Sequence, residues 1–297
     1  MVKKPYVALF ISIVSVSFAA IFIVSAESPP LTIAFYRLLF TTLLVSPFIL
    51  FDKNRRKEIA SLPSRDMIFM AAIGVILAAH FALWISSLEK TSVASSVILV
   101  TAHPVLVTPL AYFLFKEKPS LLNVGGIALS LTGVSILVLG NYGIRSSTLE
   151  GNILAMLGGA AAGLYILGGR KMRRNTSTFC YAFVVYAFAS VTLLVLCLAF
   201  SSPLYGISMR DYGIIFLMAL VSGMFGHTLY NYSLRFVRAS LASVSLLGEP
   251  LGSALLAFVL PWIHQVPTAY TIGGGVLVIA GIYLTSRNQG LEAIPIA

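Results

Sequence analysis

The sequence contains little charge for its length, and this shortage excludes an ordinary soluble domain. Only 10% of its 297 residues are Asp, Glu, Lys or Arg, whereas 58% are hydrophobic and the mean hydropathy is +0.94. A soluble domain carries roughly 25% charged residues. Water is therefore not the solvent for most of this protein's surface.

Motifs for enzymatic, metal or nucleotide chemistry are also missing. The chain has no His-Glu-x-x-His, Cys-x-x-Cys, Gly-x-Ser-x-Gly or phosphate-loop motif. Its two cysteines, Cys180 and Cys197, lie about 26 Å apart in one predicted helix, too far for a disulfide. We therefore predict no catalytic residue, metal or cofactor. An intramembrane protease or lipid transferase stays open as an alternative, because membrane enzymes can have sparse motifs.

Ten apolar runs of about 20 residues are long enough to cross a bilayer as helices. We predict spans 1 to 10, in chain order, at Tyr6–Val24, Pro30–Phe51, Met67–Leu88, Ser92–Phe115, Ser120–Leu139, Gly151–Gly169, Thr178–Phe200, Tyr212–Leu234, Ala239–Pro261 and Thr268–Ser286. Span 1 resembles a signal peptide, but its apolar run exceeds the usual 7–15 residues of a signal core. The sequence thus predicts an all-α polytopic membrane protein.

The basic residues between the spans are sorted to one side. The two termini and the loops after spans 2, 4, 6 and 8 carry 16 of the 20 Lys and Arg residues. The other loops carry Lys90, Arg145 and Arg210, and Arg37 lies inside a span. The positive-inside rule therefore predicts both termini in the cytoplasm, with the protein in a cell membrane. The net charge of +10 reflects topology and anionic-lipid contact rather than nucleic-acid binding.

The second half of the chain repeats the first. Residues Leu83–Pro104 align without a gap on Leu229–Pro250, and a shift of 148 aligns Pro119 with Pro267. Each copy has five spans, so the second copy starts on the opposite side of the membrane. We predict two inverted repeats, residues 1–143 (spans 1–5) and 144–297 (spans 6–10). This architecture is typical of secondary transporters, with a substrate site near the midplane.

Glycines concentrate in spans 5, 6 and 10, where they allow helix backbones to approach closely. They are Gly125, Gly126, Gly158, Gly159, Gly163, Gly273, Gly274 and Gly275. We expect these glycines to pack helices within one bundle. A homodimer through spans 5 and 10 is the alternative.

Two titratable residues precede prolines at the middle of spans 4 and 9. His103 precedes Pro104, and its repeat mate Glu249 precedes Pro250. A proline at this depth removes a helical hydrogen bond, so we predict a kink in each span that takes part in gating. A carboxyl group in an apolar region can bind a proton, an ammonium group or another cation. The alternative is a hydrogen bond that only fixes the kink.

Arg37 lies about seven residues, roughly 10 Å, into span 2 and has no equivalent in the second half. A buried arginine can hold a carboxylate with its guanidinium fork, which predicts substrate contact. Three alternatives compete with this hypothesis. They are an ion pair with Glu249, contact with backbone carbonyls, and snorkelling to the surface.

His80 in span 3 and His227 in span 8 form a second near-repeat pair, with Trp84, Tyr230 and Asn231 close by. Histidine can relay protons, and the aromatic side chains can line a cavity. Helix–helix hydrogen bonds and interface anchoring are the alternatives. These five residues, together with Arg37, His103 and Glu249, are the predicted substrate-binding residues.

Four short segments resemble those of a known family in their order and spacing. They are Phe35-Tyr36-Arg37, Lys116-Glu117-Lys118-Pro119-Ser120, Gly125-Gly126 with Gly133, and Gly248-Glu249-Pro250. The chain resembles, from about Tyr6 to Ser286, the EamA-like branch of the drug/metabolite transporter superfamily. The resemblance implies export of amino acids or other small metabolites through a central cavity, lined largely by spans 3, 4, 8 and 9 with parts of 1 and 6. The second half departs from the pattern, with His264-Gln265 in place of the Glu117 turn.

The sequence therefore predicts a secondary transporter that exports amino acids or related metabolites by alternating access. A proton-coupled multidrug or cation exporter is the main alternative. A channel is disfavoured because no filter motif and no polar pore-lining span occur. Expected partners are the small-molecule substrate and the lipid bilayer, with protons as a further candidate.

The predicted topology can be tested by cysteine labelling. Because of the uneven distribution of loop charge, cysteines introduced at Ser28 or Asn141 should react with an impermeant reagent in intact cells. Cysteines at Asn54 or Asn175 should react only after permeabilisation. Labelling of Asn54→Cys in intact cells would contradict the topology.

Overall fold

The computed structural model describes residues 4–91, 93–142, 148–260 and 266–287, and within these ranges the regular structure is helical without strands. The α-helices are Lys4–Ser25 (α1), Pro30–Leu50 (α2), Lys53–Ala60 (α3), Ser64–Lys90 (α4), Val93–Thr101 (α5), Pro104–Phe115 (α6), Leu121–Tyr142 (α7), Leu149–Met172 (α8), Thr178–Ala199 (α9), Met209–Met218 (α10), Leu229–Ser233 (α11), Ala239–Ser245 (α12), Gly248–Val259 (α13) and Ala269–Ser286 (α14). A π-helix, Ala219–Thr228, joins α10 to α11.

Ten segments of the described ranges are long and apolar enough to cross a membrane, which confirms the predicted all-α, ten-span architecture. Seven spans are single helices, namely spans 1, 2, 3, 5, 6, 7 and 10, formed by α1, α2, α4, α7, α8, α9 and α14. Span 4 combines α5 and α6, span 8 combines α10, the π-helix and α11, and span 9 combines α12 and α13. Lys3, Arg145, Pro261, His264 and Gln265 lie outside the described residues.

The loops after spans 2, 4, 6 and 8 gather at one end of the bundle, which we call the basic end. It consists of residues 51–63, 116–120, 173–177 and 234–238. The first of these segments contains the short helix α3, which was predicted only as a basic loop. The side chain of Asp52 accepts hydrogen bonds from the N–H groups of Asn54 (2.9 Å) and Arg55 (3.3 Å), which caps this helix. The Ser177 N–H donates to the Glu58 carboxylate (2.6 Å) and ties α3 to span 7.

Spans 4 and 9 are both interrupted near the predicted prolines. Helix α5 ends at Thr101 and α6 begins at Pro104, whereas α12 ends at Ser245 and α13 begins at Gly248, two residues before Pro250. At both breaks, backbone N–H groups donate to the carbonyl oxygen of the third preceding residue, which makes a tighter turn than an α-helix. Proline cannot donate a backbone hydrogen bond, so a break just upstream of it is expected. The sequence thus located both kinks, while the inverted relation of the two halves stays a prediction.

Span 8 departs from the predicted continuous helix because its middle is a π-helix. A π-helix has wider turns and occurs often near functional sites. Two of its glycines lie against neighbouring spans, and a β-carbon at Gly226 would lie 2.7 Å from Cγ1 of Val16. The π-helix ends beside His227 and so helps to set the position of a predicted site residue.

Spans 5 and 10 pack along their glycines within this chain. A β-carbon added at Gly133 would lie 2.6 Å from the carbonyl oxygen of Gly274, and one added at Gly126 would lie 2.6 Å from that of Gly281. The Asn123 side chain also donates to the Thr285 carbonyl (2.8 Å). These contacts agree with packing inside one bundle, the first of the two expectations for these glycines.

Alanine substitutions should lower stability at a glycine that packs against another span and leave stability unchanged at a glycine that contacts no neighbouring span. Gly133→Ala forces spans 5 and 10 apart and should destabilise the protein by about 1–3 kcal/mol. Gly125→Ala is the matched control, because a β-carbon there meets nothing within 4 Å and alanine favours a helix. Thermal unfolding of the purified protein in detergent would measure both changes. Equal melting temperatures for the two variants would contradict the packing.

Candidate substrate site

A cavity of about 520 Å³ lies within the bundle and contains most of the predicted site residues. Eight of the ten line it, and they are Arg37, His80, Trp84, His103, His227, Tyr230, Glu249 and Pro250. The lining comes from spans 1–6 and 8–10. Spans 2, 5 and 10 therefore add to the set that the family resemblance implies.

Arg37 is almost fully buried and lies against an aromatic ring. The side chain is 1% exposed, and its Cζ lies 4.3 Å from the centre of the Phe81 ring. Nη2 lies 3.3 Å from Nε2 of His227. The Nε and Nη1 atoms have no hydrogen-bond partner among the described residues. Part of the guanidinium is therefore fixed by the protein, while Nε and Nη1 are buried without a hydrogen-bond partner among the described residues.

The position of Arg37 decides between the alternatives raised by the sequence. No carboxylate in the described ranges lies within 4.0 Å of the guanidinium, so Arg37 and Glu249 do not form an ion pair. The group donates to an imidazole rather than to backbone carbonyls, and its burial rules out snorkelling. Contact with an anionic group of a ligand stays a prediction, beside the observed contacts with His227 and Phe81.

His227 is held in a defined tautomer by Arg37. A guanidinium has only donors, so Nε2 of His227 must accept the hydrogen bond and the ring proton lies on Nδ1. The same reasoning applies to His80, whose Nδ1 lies 2.9 Å from the Gly158 carbonyl oxygen and must donate to it. Each ring therefore stabilises a helix contact and also lines the cavity.

Glu249 lines the cavity from the first turn of α13, and its carboxyl group makes no hydrogen bond or ion pair within the described residues, although the Arg37 charge acts on it electrostatically. Its repeat mate His103 differs, because Nδ1 of His103 lies 2.7 Å from Oγ of Ser243 and joins span 4 to span 9. A hydrogen bond that fixes the kink thus exists for His103. Glu249 keeps its carboxyl group for the cavity.

Two aromatic residues of the cavity wall have unused polar atoms. Nε1 of Trp84 and the hydroxyl of Tyr230 are buried and lack hydrogen-bond partners in the described part of the chain. The Trp84 ring stacks on the His80 ring with centroids 5.8 Å apart. Buried donors are expensive to leave unpaired. Together with the free edge of Arg37, they favour a ligand that is rich in acceptor oxygens.

Two predicted residues do not line the cavity. Pro104 forms the break in span 4, and Asn231 is fully buried behind the wall. The Asn231 side chain bonds to the hydroxyl groups of Tyr165 (2.7 Å) and Tyr186 (3.1 Å), so its polar atoms are occupied. Its role here is to hold Tyr165, which does line the cavity.

The sequence reasoning missed Phe81 and Tyr165. Phe81 follows His80 directly, but only the packing of span 3 against span 2 shows that its ring supports Arg37. Tyr165 had a signal, since it is a large polar residue in a stretch of glycine and alanine. Among the described residues, no group of three His, Cys, Asp or Glu side chains is arranged as metal ligands would be.

The cavity reaches one end of the bundle. Its lining includes Ser25 and Pro267 at helix boundaries and Val266, which is 69% exposed. All three lie at the end opposite the basic end, and no residue of the four loops of the basic end lines the cavity. The cavity is therefore closed at the basic end and extends to the opposite one.

Ten helices that can cross a membrane around a partly polar cavity define a polytopic membrane protein of the transporter class. The model of the EamA-like transporter family matches residues 4–139 and 149–287. The chain belongs to the EamA-like transporter family, which confirms the resemblance noted from the sequence.

Similar proteins agree with this membership. An uncharacterized transporter of Archaeoglobus fulgidus is 26% identical over 281 residues, which cover 92% of this chain and 93% of that protein. The uncharacterized transporter YyaM of Bacillus subtilis is 26% identical over 255 residues, covering 83% and 80%. A solved crystal structure matches with a TM-score of 0.79 over 97% of this chain and 98% of its own at 18% identity, a likeness that shows the fold alone. The protein is thus a membrane transporter.

Substitutions at the neighbouring residues Asn231 and Tyr230 should distinguish a residue that supports the cavity wall from one that lines the cavity. Asn231→Leu leaves the Tyr165 and Tyr186 hydroxyls without their shared partner and should lower the free energy of unfolding by about 1–3 kcal/mol. Tyr230→Phe removes a hydroxyl that has no partner among the described residues, so thermal stability should change little. Equal losses of melting temperature would contradict the assignment of Asn231.

Proposed function

We propose that this protein exports amino acids or related zwitterionic metabolites across a prokaryotic cell membrane by alternating access, with both termini in the cytoplasm. The single observation that carries the proposal is that two opposite charges, Arg37 and Glu249, line one cavity without forming an ion pair. The Nε and Nη1 atoms of Arg37 have no hydrogen-bond partner among the described residues.

A zwitterion matches these two charges. Its carboxylate would accept hydrogen bonds from Nε and Nη1 of Arg37, a geometry that arginine favours. Its ammonium group would lie toward Glu249, and the aromatic residues Phe81, Trp84 and Tyr165 would surround the rest of the molecule. Although a zwitterion is neutral overall, each of its two charged groups loses its hydration in the cavity. Each therefore needs a partner in the protein.

A proton-coupled exporter of cationic drugs is the second candidate, and the unpaired carboxyl group of Glu249 is the observation that favours it. In that case the carboxylate would bind either a proton or the cation, and Arg37 would not contact the substrate. The two candidates therefore differ in the role of Arg37. Channel and enzyme functions have no comparable support from the cavity.

Counterflow in proteoliposomes would test the proposal. The panel should contain amino acids, nucleosides and cationic drugs, with and without an imposed pH gradient. Each transported amino acid should be accompanied by its amide, which lacks the carboxylate, and its N-acetyl derivative, which lacks the ammonium group. Saturable counterflow of a zwitterion that is lost for both derivatives would support the proposal. Ionic currents without counterflow would favour a channel.

Neutral substitutions of Arg37 and Glu249 should each remove the contact with one charged group of the substrate. Arg37→Gln leaves the substrate carboxylate unpaired, and Glu249→Gln does the same to the ammonium group. Each loss costs on the order of 2–5 kcal/mol, more than tenfold in affinity, so counterflow of the amino acid should be abolished.

Matched controls exist at the surface of the same protein. Arg210 and Glu27 form an ion pair whose side chains are 62% and 85% exposed, so Arg210→Gln and Glu27→Gln should leave counterflow unchanged. Thermal unfolding should show that all four variants are folded. Full transport by Glu249→Gln would exclude both a substrate contact and a proton-coupling role for that carboxyl group.

A further inference from the structure

A buried ion pair outside the cavity joins four spans at the basic end. Nε of Arg170, near the end of span 6, lies 3.0 Å from Oε1 of Glu117, which follows span 4. The two side chains are 0% and 1% exposed. The chain reaches this position because Lys116 ends α6 in the left-handed conformation, with φ of 60°, and the backbone turns toward the bundle.

Each partner of the pair also holds a further span. The second carboxylate oxygen of Glu117 accepts a hydrogen bond from the N–H of Ala239, the first residue of span 9 (2.9 Å). Nη1 of Arg170 donates to the carbonyl oxygens of Leu234 and Arg235, directly after span 8 (3.0 Å each). One pair of side chains therefore binds together the basic ends of spans 4, 6, 8 and 9.

We propose that Glu117 and Arg170 form a latch that keeps the transport path closed at the basic end, and that the latch must open for the alternate state. This inference rests on the proposed alternating-access function. The cavity extends to the opposite end and stops short of the basic end, where the latch lies. In this proposal the basic end opens when spans 4 and 9 separate from spans 6 and 8, and the Glu117–Arg170 contact is the one that breaks.

The described residues of the opposite end hold no buried ion pair, although the buried Asp211 carboxylate there accepts hydrogen bonds from the Glu27 N–H (3.1 Å) and the Ser28 hydroxyl (2.5 Å). The ion pairs of that end, Lys90 with Glu150 and Arg210 with Glu27, have side chains that are 45–85% exposed, and exposed pairs contribute little. The repeat shift of 148 places Gln265, a neutral residue outside the described ranges, at the position of Glu117. Among the described residues, a buried ion pair therefore occurs at the basic end alone, and the latch favours the state in which the cavity faces away from that end.

The energetics of a buried pair make this device testable by a neutral substitution. Glu117→Gln removes the carboxylate that contacts the buried Arg170 charge in the closed state, whereas water can hydrate that charge once the basic end opens. The substitution should therefore shift the population toward the state that is open at the basic end. Damage to the fold alone would loosen both ends together.

Two reporter cysteines can distinguish these outcomes in purified protein without any substrate. Ala242→Cys lies fully buried in span 9 near the latch, and Ala254→Cys lines the cavity toward the opposite end. In the parent protein a maleimide should label Ala254→Cys and barely label Ala242→Cys, with the native Cys180 and Cys197 as background. Glu117→Gln should raise the labelling rate of Ala242→Cys by at least about tenfold and lower that of Ala254→Cys.

Two further variants, Arg170→Lys and Glu150→Gln, test whether the effect depends on the latch itself. Arg170→Lys retains the charge but cannot reach the carboxylate and both carbonyls together, so it should raise Ala242→Cys labelling to a smaller extent. Glu150→Gln, in the exposed pair at the opposite end, should change neither rate. Unchanged labelling in Glu117→Gln and Arg170→Lys, or an increase at both reporters, would overturn the latch. A normal labelling shift in a protein that shows no counterflow would instead contradict the proposed function.

Discussion

The absence of water inside a bilayer is the constraint on which this structure depends. A polar group that enters the apolar region must find a partner within the protein or remain unsatisfied at considerable cost. Arg37, Arg170 and Arg173 are the three largest fully buried side chains of the described residues. Arg170 has a carboxylate and two carbonyls, and Arg173 donates to the Asn231 carbonyl and to Thr178, whereas two nitrogens of Arg37 have no partner. This contrast is the reason that the proposed function assigns a ligand partner to Arg37.

The features that the sequence predicted well are those encoded by short-range rules. Span number follows from apolar length, and the breaks in spans 4 and 9 follow from the missing N–H of Pro104 and Pro250. The features that it missed depend on how each helix is rotated about its axis, which neighbouring spans decide. Asn231 therefore faces Tyr165 and Tyr186 instead of the cavity, and the Phe81 ring lies on Arg37. The π-helix of span 8 likewise has no residue pattern that predicts it.

Asymmetry between the two halves accompanies every charged feature of the proposed mechanism. Arg37 aligns with Val185, and Glu117 aligns with Gln265 at the same shift. Paired breaks in spans 4 and 9 would serve the proposed mechanism as related hinges, but a substrate with two different ends needs different groups on the two sides of its cavity. The repeated breaks thus suit the proposed movement of spans 4 and 9. The residues that differ between the halves, Arg37 and Glu117, suit substrate recognition and the preference for the state that is closed at the basic end.

The energetics of a buried ion pair suit a gate better than a rigid joint. Dehydration of the two ions cancels most of their attraction, so a fully buried pair adds little net stability when all its partners are present. Removal of one partner is nevertheless costly, because a single charge then remains buried. Glu117 and Arg170 therefore impose a specific closed arrangement of four spans, while water entering at the basic end can replace their contacts. A latch of this kind resists partial opening but does not forbid complete opening.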